Sequence, residues 1–231
     1  MAPKILVVLT SHSQMGTSGC ANTTKQPELA HPYDVFVKAG AELTFASPKG
    51  GVAPLDPASV EMFKSDASST NFLNNHKEIW ENTRPLSEVA DGAADKFDAV
   101  FVPGGHGPMF DLYSDATSQR LIADFASKGK VVAAVCHGPA ALINVKLADG
   151  TPLLKGREVT GFSNVEEDQV QLSPYMPFMM ETELGKVSGG KYVKAAEPWG
   201  EKVVVSGNVI TGQNPASAHK IGEEIIKALG A

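Results

Sequence analysis

The ten residues VVAAVCHGPA, positions 131–140, decide the fold prediction for this chain. Residues 131–135 form a continuous apolar run rich in valine, which is typical of a strand covered on both faces of a sheet. Pro139 is tolerated in the first turn of a helix, where its missing N–H would have no partner anyway. The sequence therefore predicts a buried strand, a sharp turn that holds Cys136 and His137, and then a helix.

Cys136 in such a turn has the surroundings of a nucleophile. A helix N-terminus and a neighbouring imidazolium both stabilise a thiolate and lower a cysteine pKa from its free value of about 8.5. Strand, nucleophile and helix also follow the geometry of the nucleophile elbow, although the G-x-S-x-G spelling is absent. The alternative is a small buried hydrophobe at Cys136 with His137 as a helix cap. The adjacent His137 and Gly138-Pro139 favour catalysis.

Working outward, buried strands alternate with helices. We predict strands at 4–10, 41–47 and 97–103, helices at 27–39 and 114–127, further strands at 158–161, 191–195, 203–206 and 209–211, and a terminal helix at 217–229. This alternation predicts an α/β fold with a doubly wound, mostly parallel sheet and helices on both faces. Residues 1–231 are predicted to form a single domain, in which 54–95 is an inserted segment of short helices and loops.

Composition and charge exclude several classes of protein. The 231 residues are 42% hydrophobic and 20% charged, which suits one α/β domain with a substantial core. The net charge of −6, without a basic run, argues against nucleic-acid or anionic-membrane binding. The apolar stretch 5–9 is too short for a signal peptide or a membrane span, so we expect a cytoplasmic protein. With only two cysteines, Cys20 and Cys136, no disulfide framework is expected.

Ligands of such sheets bind beyond the carboxyl ends of the strands, so the residues that follow each strand are candidates. After the strand at 97–103 comes the turn Gly104-Gly105-His106-Gly107, whose backbone N–H groups could form an oxyanion hole. The alternative is a glycine turn needed only for positive φ. The sequence does not decide between these interpretations by itself.

Two carboxylate groups elsewhere are further candidates. Glu166 and Glu167 follow the strand predicted at 158–161, where a carboxylate could orient the imidazole of His137. In isolation, such glutamates are usually surface charges near a helix start. Glu28 lies one helical turn before His31, a pair that is more often a local helix-end interaction than a site.

Five segments occur in the same order in a known family: PELAHPYDVF, VPGGHGPMFDL, AAVCHGPAAL, VTGFSNVEE and TGQNPASA. Over essentially its whole length the chain resembles the PfpI superfamily of flavodoxin-like proteins, whose fold is like that of class I glutamine amidotransferases. It resembles specifically the glutathione-independent glyoxalase (glyoxalase III) branch, which includes fungal stress-inducible, chaperone-like members.

The resemblance implies a role for each matching residue. It makes Cys136 the nucleophile, His137 its base partner, Glu167 the acid that orients the imidazole, and Glu28 a carboxylate that hydrogen-bonds the thiol. Glu166 is the less favoured neighbour of the imidazole. The backbone amides of Gly105 and His137 correspond to the oxyanion-stabilising groups, and His106 lies in the same substrate-binding turn.

The implied reaction converts methylglyoxal, a small 2-oxoaldehyde, and water to D-lactate, with neither glutathione nor a cofactor or metal. Thiolate attack on the aldehyde gives a hemithioacetal, and a base then moves a proton between adjacent carbons through an enediol. His137 and Glu28 are the candidates for this proton transfer. The family resemblance also implies a homodimer.

Several alternatives stay open. An amidotransferase needs an H-x-E pair downstream of its cysteine, but the one here, at 76–78, lies upstream. A cysteine peptidase of the same superfamily, a thiol redox sensor and a non-enzymatic holdase for unfolded clients are the others. The run 175–180, YMPFMM, would be an adaptable surface for clients, although it more plausibly lines the pocket or packs as core.

A metal site is a weaker idea. It would require His12, Glu28, His31 and His106 to converge, and the chain has no H-x-x-x-H or cysteine-rich spacing. We therefore predict no metal.

Overall fold

The computed structural model describes residues 2–16, 24 and 26–231, so the cysteine predicted to be reduced at position 20 lies outside the described residues. A seven-stranded sheet with strand order β3-β2-β1-β4-β5-β7-β6 organises the fold. The strands are β1 (Lys4–Val8), β2 (Glu42–Ser47), β3 (Arg84–Pro85), β4 (Ala99–Val102), β5 (Val131–Val135), β6 (Val203–Ser206) and β7 (Val209–Gly212). All neighbouring strands are parallel except β6 and β7.

The strand predicted at 131–135 is confirmed residue for residue as β5, and all five of its residues are buried. It pairs with β4 on one side and β7 on the other, so both of its backbone edges are satisfied inside the sheet. The predicted doubly wound, mostly parallel α/β fold is confirmed. The carboxyl ends of β1, β4, β5 and β7 therefore lie along one edge of the sheet.

Helices cover both faces of the sheet. They are α1 (Gln26–Lys38), α2 (Pro57–Met62), α3 (Ala67–Asn75), α4 (Glu78–Glu81), α5 (Leu86–Val89), α6 (Ala93–Lys96), α7 (Ala116–Ser127), α8 (Ala140–Ile143), α9 (Asn164–Gln169), α10 (Met180–Ser188) and α11 (Ala218–Ala228). Short 3₁₀ turns occur at Gly107–Met109, Ser173–Tyr175 and Pro215–Ser217.

Alternate residues of each strand enter two separate hydrophobic layers, as the two-residue period of a strand requires. Val132 and Ala134 of β5 pack in the layer that includes α7 and α8, whereas Val131, Ala133 and Val135 pack in the layer that includes α1 and α11. Helices α1 and α11 approach closely at Gly222, where a Cβ atom would lie only 3.1 Å from Pro32 Cα. The two layers fix β5, and with it the turn that follows it.

The segment predicted as short helices and loops, 54–95, contains α2 to α5, the start of α6 and also the two-residue edge strand β3. Its helix α3 packs against the start of α1, where Gln26 Nε2 donates to the Ser69 carbonyl at 2.5 Å. The segment therefore lies beside the end of α1 that carries Glu28.

Two predicted strands, 158–161 and 191–195, are wrong. They share only one isolated bridge, between Val159 and Tyr192. The next backbone N–H groups are used elsewhere, since Thr160 donates to the Thr211 hydroxyl and Phe162 donates to the Cys136 carbonyl. These bonds turn the chain toward β5 instead of extending a ladder.

Across the described residues, each helix is too short or too polar to span a lipid bilayer.

Candidate active site

Cys136 lies in a tight turn immediately after β5, with a left-handed φ of +60° that is uncommon for residues other than glycine. Its N–H donates to the Gly212 carbonyl of β7, and its own carbonyl accepts from Phe162, both at 2.9 Å. The helix that follows, α8, has only four residues. Its dipole is therefore smaller than the sequence led us to expect, and the imidazole of His137 contacts the sulfur directly.

Cys136, His137 and Glu167 form a buried chain of polar contacts. Cys136 Sγ lies 3.3 Å from His137 Nδ1, and His137 Nε2 lies 2.6 Å from Glu167 Oε2. Both cysteine and histidine are fully buried, and Glu167 is 3% exposed. An ionised carboxylate only accepts hydrogen bonds, so His137 Nε2 carries a hydrogen toward Glu167, while Nδ1 faces the sulfur. This arrangement suits a thiol and its base.

Glu167 is held in its charged form. Burial alone raises the pKa of this carboxyl, but the charge and hydrogen bonds of His137 and His106 outweigh burial and lower the pKa well below its ordinary value. The site therefore contains a fixed negative charge at neutral pH. That charge stabilises an imidazolium at His137 whenever the thiol gives up its proton.

His106 provides a second imidazole on the same carboxylate. Its Nε2 lies 2.9 Å from Glu167 Oε1, and its ring centroid is 4.0 Å from that of His137. The sequence indicated His106 only as part of the glycine turn, and this side-chain contact was missed. The signal that could have found it is a histidine directly after a strand that neighbours β5.

Glu28 is fully buried on the first turn of α1 and lies close to Cys136. A Cβ placed on Gly104 would be 2.1 Å from Glu28 Oε2 and 2.6 Å from Cys136 Cβ, so both side chains crowd the same point. Glycine at 104 is what permits this contact. The predicted hydrogen bond between Glu28 and the thiol stays a prediction.

Gly104→Ala is expected to lower the free energy of unfolding by about 3 kcal/mol, because the new methyl group must displace Glu28, Cys136 or the backbone. Urea denaturation measures this. The matched control is Gly185→Ala inside α10, where a Cβ meets nothing within 4 Å and a gain of about 0.5 to 1 kcal/mol is expected from helix propensity. Equal effects of the two substitutions would contradict the close approach at Gly104.

The glycine turn after β4 contains Gly105 with φ of +87° and His106 at the N-cap of the 3₁₀ turn Gly107–Met109. A Cβ at Gly107 would lie 2.3 Å from Thr10 Cγ2, so this glycine is needed for close packing against the end of β1. Gly105 is thus favoured by its positive φ, and Gly107 by its close packing. The oxyanion role of the Gly105 and His137 amides stays a prediction.

Glu166 points away from His137 into a different network. Its two carboxylate oxygens accept from Ser163 N and Oγ, Trp199 N, Gln213 Nε2 and Asn214 Nδ2. Burial raises the pKa of Glu166, but the bonds from Ser163 and Asn214 lead to a net lowering. The interpretation of Glu166 and Glu167 as surface charges is wrong for both, since each is buried.

The histidines weighed for a metal site do not converge. His31 Nε2 pairs with Asp66 at 2.8 Å, and the ring of His12 stacks on Phe110 with centroids 4.8 Å apart. Donor atoms of His106, His137 and Glu167 do lie within 4.8 Å of one another. Their imidazole–carboxylate contacts are direct hydrogen bonds, however, so the described cluster is a hydrogen-bonded network.

The run 175–180 packs partly as core. Met180 is buried, and Met176 and Phe178 pack against the layer that includes α7, whereas Tyr175 is 38% exposed. Most of this apolar side-chain surface is therefore covered within the chain.

Comparison with known proteins gives the chain a family. The DJ-1/PfpI family matches residues 19–228. "Glyoxalase 3" of Candida albicans is 32% identical over 97% of this chain and 98% of its own length. "Glutathione-independent glyoxalase HSP31" of Saccharomyces cerevisiae is 32% identical over 99% of both chains. The crystal structure of glyoxalase III from Candida albicans, 30% identical, covers 98% of this chain and 97% of its own with a TM-score of 0.85. This protein belongs to the DJ-1/PfpI family.

Proposed function

We propose that this protein is a glutathione-independent glyoxalase that converts methylglyoxal and water to D-lactate. The observation that carries the proposal is the buried contact chain Cys136–His137–Glu167 at the strand ends of the sheet. Its full-length relatives named as glyoxalases support the same assignment.

The first step is addition of the Cys136 thiol to the aldehyde of the substrate. The sulfur forms a bond to C1, and the aldehyde oxygen gains a proton, which gives a hemithioacetal. His137 Nδ1 accepts the thiol proton at 3.3 Å, and Glu167 stabilises the imidazolium. The Gly105 and His137 backbone amides are the proposed donors to the developing oxyanion.

The second step moves a proton from C1 to C2 through an enediol and leaves a lactoyl thioester on Cys136. Glu28 and His137 are the proposed groups for this transfer, since both lie next to the sulfur. Water then attacks the thioester carbonyl, the C–S bond breaks, and D-lactate leaves with the thiol restored. No electron donor or acceptor is required, because one carbon is oxidised as its neighbour is reduced.

The test is D-lactate production from methylglyoxal without glutathione. We expect Cys136→Ala to abolish it, and Glu28→Gln to lower it about 100-fold or more, because an amide cannot accept the C1 proton. His219→Ala, at an exposed position on α11, is the control and should match the wild type. A folded Cys136→Ala variant with wild-type activity would refute the proposal, as would an inactive wild type.

Further parts of the proposal concern the oligomeric state, the cellular location and the binding of unfolded proteins. We propose a homodimer in the cytoplasm, with binding of unfolded client proteins as a separate activity, and sedimentation velocity tests the oligomeric state. If the protein suppresses aggregation of unfolded clients, Cys136→Ala should suppress it equally, because a holdase does not need the thiol. The relatives named as glyoxalases favour this proposal over a redox sensor or a cysteine peptidase.

A further inference from the structure

Glu167 accepts hydrogen bonds from the imidazoles of His106 and His137, whereas the proposed reaction uses only His137. We propose that His106 is a positioning residue, which donates to the second oxygen of Glu167 and thereby holds His137 in the tautomer that can accept the Cys136 proton. The inference rests on the proposed function for its kinetic part, and on geometry alone for its structural part.

The contact geometry leaves Glu167 little freedom. Oε1 receives His106 Nε2 at 2.9 Å and Oε2 receives His137 Nε2 at 2.6 Å, so each carboxylate oxygen has its own imidazole. The two rings lie 4.0 Å apart between centroids and are inclined by 39°. Rotation of the carboxylate about its last bond would break both hydrogen bonds together.

Because Glu167 is buried, each of its carboxylate oxygens needs a hydrogen-bond donor from the protein. His106 is 4% exposed and Glu167 is 3% exposed, so water is largely kept from the carboxylate. A buried carboxylate oxygen without a donor is strongly unfavourable. If His106 were absent, Glu167 would be expected to turn toward other donors or toward solvent, and His137 Nε2 would lose a fixed acceptor.

The tautomer of His137 follows from the same contacts. An ionised carboxylate only accepts, so each imidazole must present Nε2–H to it. In the neutral ring, Nδ1 then carries the lone pair that accepts the thiol proton from Sγ, 3.3 Å away. If Glu167 moves, Nδ1–H becomes an accessible tautomer, and a ring with Nδ1–H toward sulfur cannot act as the base.

His106 is itself rigidly placed, from a strand other than the one that carries His137. It directly follows Gly105 after β4, and its carbonyl accepts from Met109 N at 3.1 Å. Phe162 packs edge-on to the His106 ring and tilted on the His137 ring, with centroids 6.4 and 4.5 Å away. The two imidazoles are therefore aligned by fixed elements, as a positioning role requires.

Two substitutions separate positioning from simple packing. In His106→Gln the amide nitrogen can replace Nε2 as donor to Glu167 Oε1, whereas in His106→Leu the side chain fills space without a donor. We expect His106→Leu to lower kcat about 10- to 100-fold with KM little changed, since the base is misplaced and not removed. His106→Gln should restore most of kcat. His219→Leu, on the exposed face of α11, is the control.

Nitrogen-15 NMR of the histidine rings gives a readout that does not depend on activity. The wild type should show hydrogen on Nε2, the nitrogen that faces Glu167, for both His106 and His137. His106→Gln should keep this tautomer at His137, and His106→Leu should give a mixture. If His106→Leu does not fold, the wild-type and His106→Gln spectra decide by themselves.

A wild-type spectrum without hydrogen on Nε2 of either ring would overturn the proposal. So would an unchanged His137 tautomer in folded His106→Leu, or a folded His106→Gln that is as impaired as His106→Leu. An inactive wild type with the expected spectra would refute the glyoxalase assignment while the positioning role stands.

Discussion

Glu167→Gln is expected to lower kcat for D-lactate formation about 10³- to 10⁴-fold, because the variant can no longer hold His137 as a base. The NH2 end of the glutamine amide must face the Nε2–H group of either His106 or His137. Two hydrogen-bond donors then oppose each other at that contact. Steady-state kinetics with methylglyoxal measures the effect. KM should change little, since Glu167 is proposed to act through His137 and not on the substrate.

The variant must be shown to be folded for this result to count, and its near-ultraviolet circular dichroism should match that of the wild type. A Glu167→Gln protein with kcat within tenfold of the wild type would contradict the role of the carboxylate. Loss of activity through a higher KM alone would also contradict it, because it would place Glu167 in contact with substrate.

The same substitution one residue earlier, Glu166→Gln, is expected to affect stability instead. We expect the free energy of unfolding to fall by about 3 kcal/mol, since the NH2 end of the glutamine would face hydrogen-bond donors that bond to a carboxylate oxygen in the wild type. Those donors are Ser163, Trp199, Gln213 and Asn214. Urea denaturation measures the change, which should lower Tm by roughly 10 °C in a chain of this size.

The stability difference between wild type and Glu166→Gln should depend on pH. The pKa of Glu166 is lowered in the folded protein, so its carboxylate stabilises the fold above the ordinary glutamate pKa of about 4.3. This contribution is lost as pH falls through the lower, folded pKa. The difference in the free energy of unfolding should therefore be constant from pH 7 to about 5 and shrink below about pH 4. A difference that stays constant to low pH would indicate that Glu166 acts by packing alone.

Glu166 and Glu167 are adjacent and both buried, yet their surroundings assign them different tasks. Together the two glutamine variants form a matched pair in which chemistry and position along the chain hardly differ. We expect one to be folded and inactive, and the other to be less stable with its site intact while folded. Such a separation would distinguish the proposed base-orienting carboxylate from one that ties neighbouring segments together.

Local patterns in the sequence were sufficient for six of the seven strands and for the position of Cys136 at the end of β5. The apolar run 131–135 and Pro139 leave few conformations for Cys136, and the structure has the predicted strand and turn there. A continuous apolar run shows in the sequence itself that the strand is buried, which is why it could be predicted. The segments wrongly predicted as strands, 158–161 and 191–195, have no such run, and they form only a single bridge because Thr160 N–H donates to the Thr211 hydroxyl.

The pairing of polar side chains could not be predicted from spacing. His106 and Glu167 are 61 residues apart and come from different strand ends, so no local periodicity connects them. Ser163 and Glu166 have the spacing of a capping box, but the remaining donors to Glu166 come from residues 199–214, whose path the sequence does not reveal. Burial of both carboxylates followed from tertiary packing, which overrode the ordinary preference of glutamate for solvent.

The last strand to be synthesised, β7, completes the turn of Cys136, since the Cys136 N–H is bonded to the carbonyl of Gly212. During translation, a chain that has passed residue 136 still lacks this bond until some 75 further residues have left the ribosome, given synthesis from the N-terminus. The topology thus delays completion of the Cys136 turn until the rest of the sheet has been made.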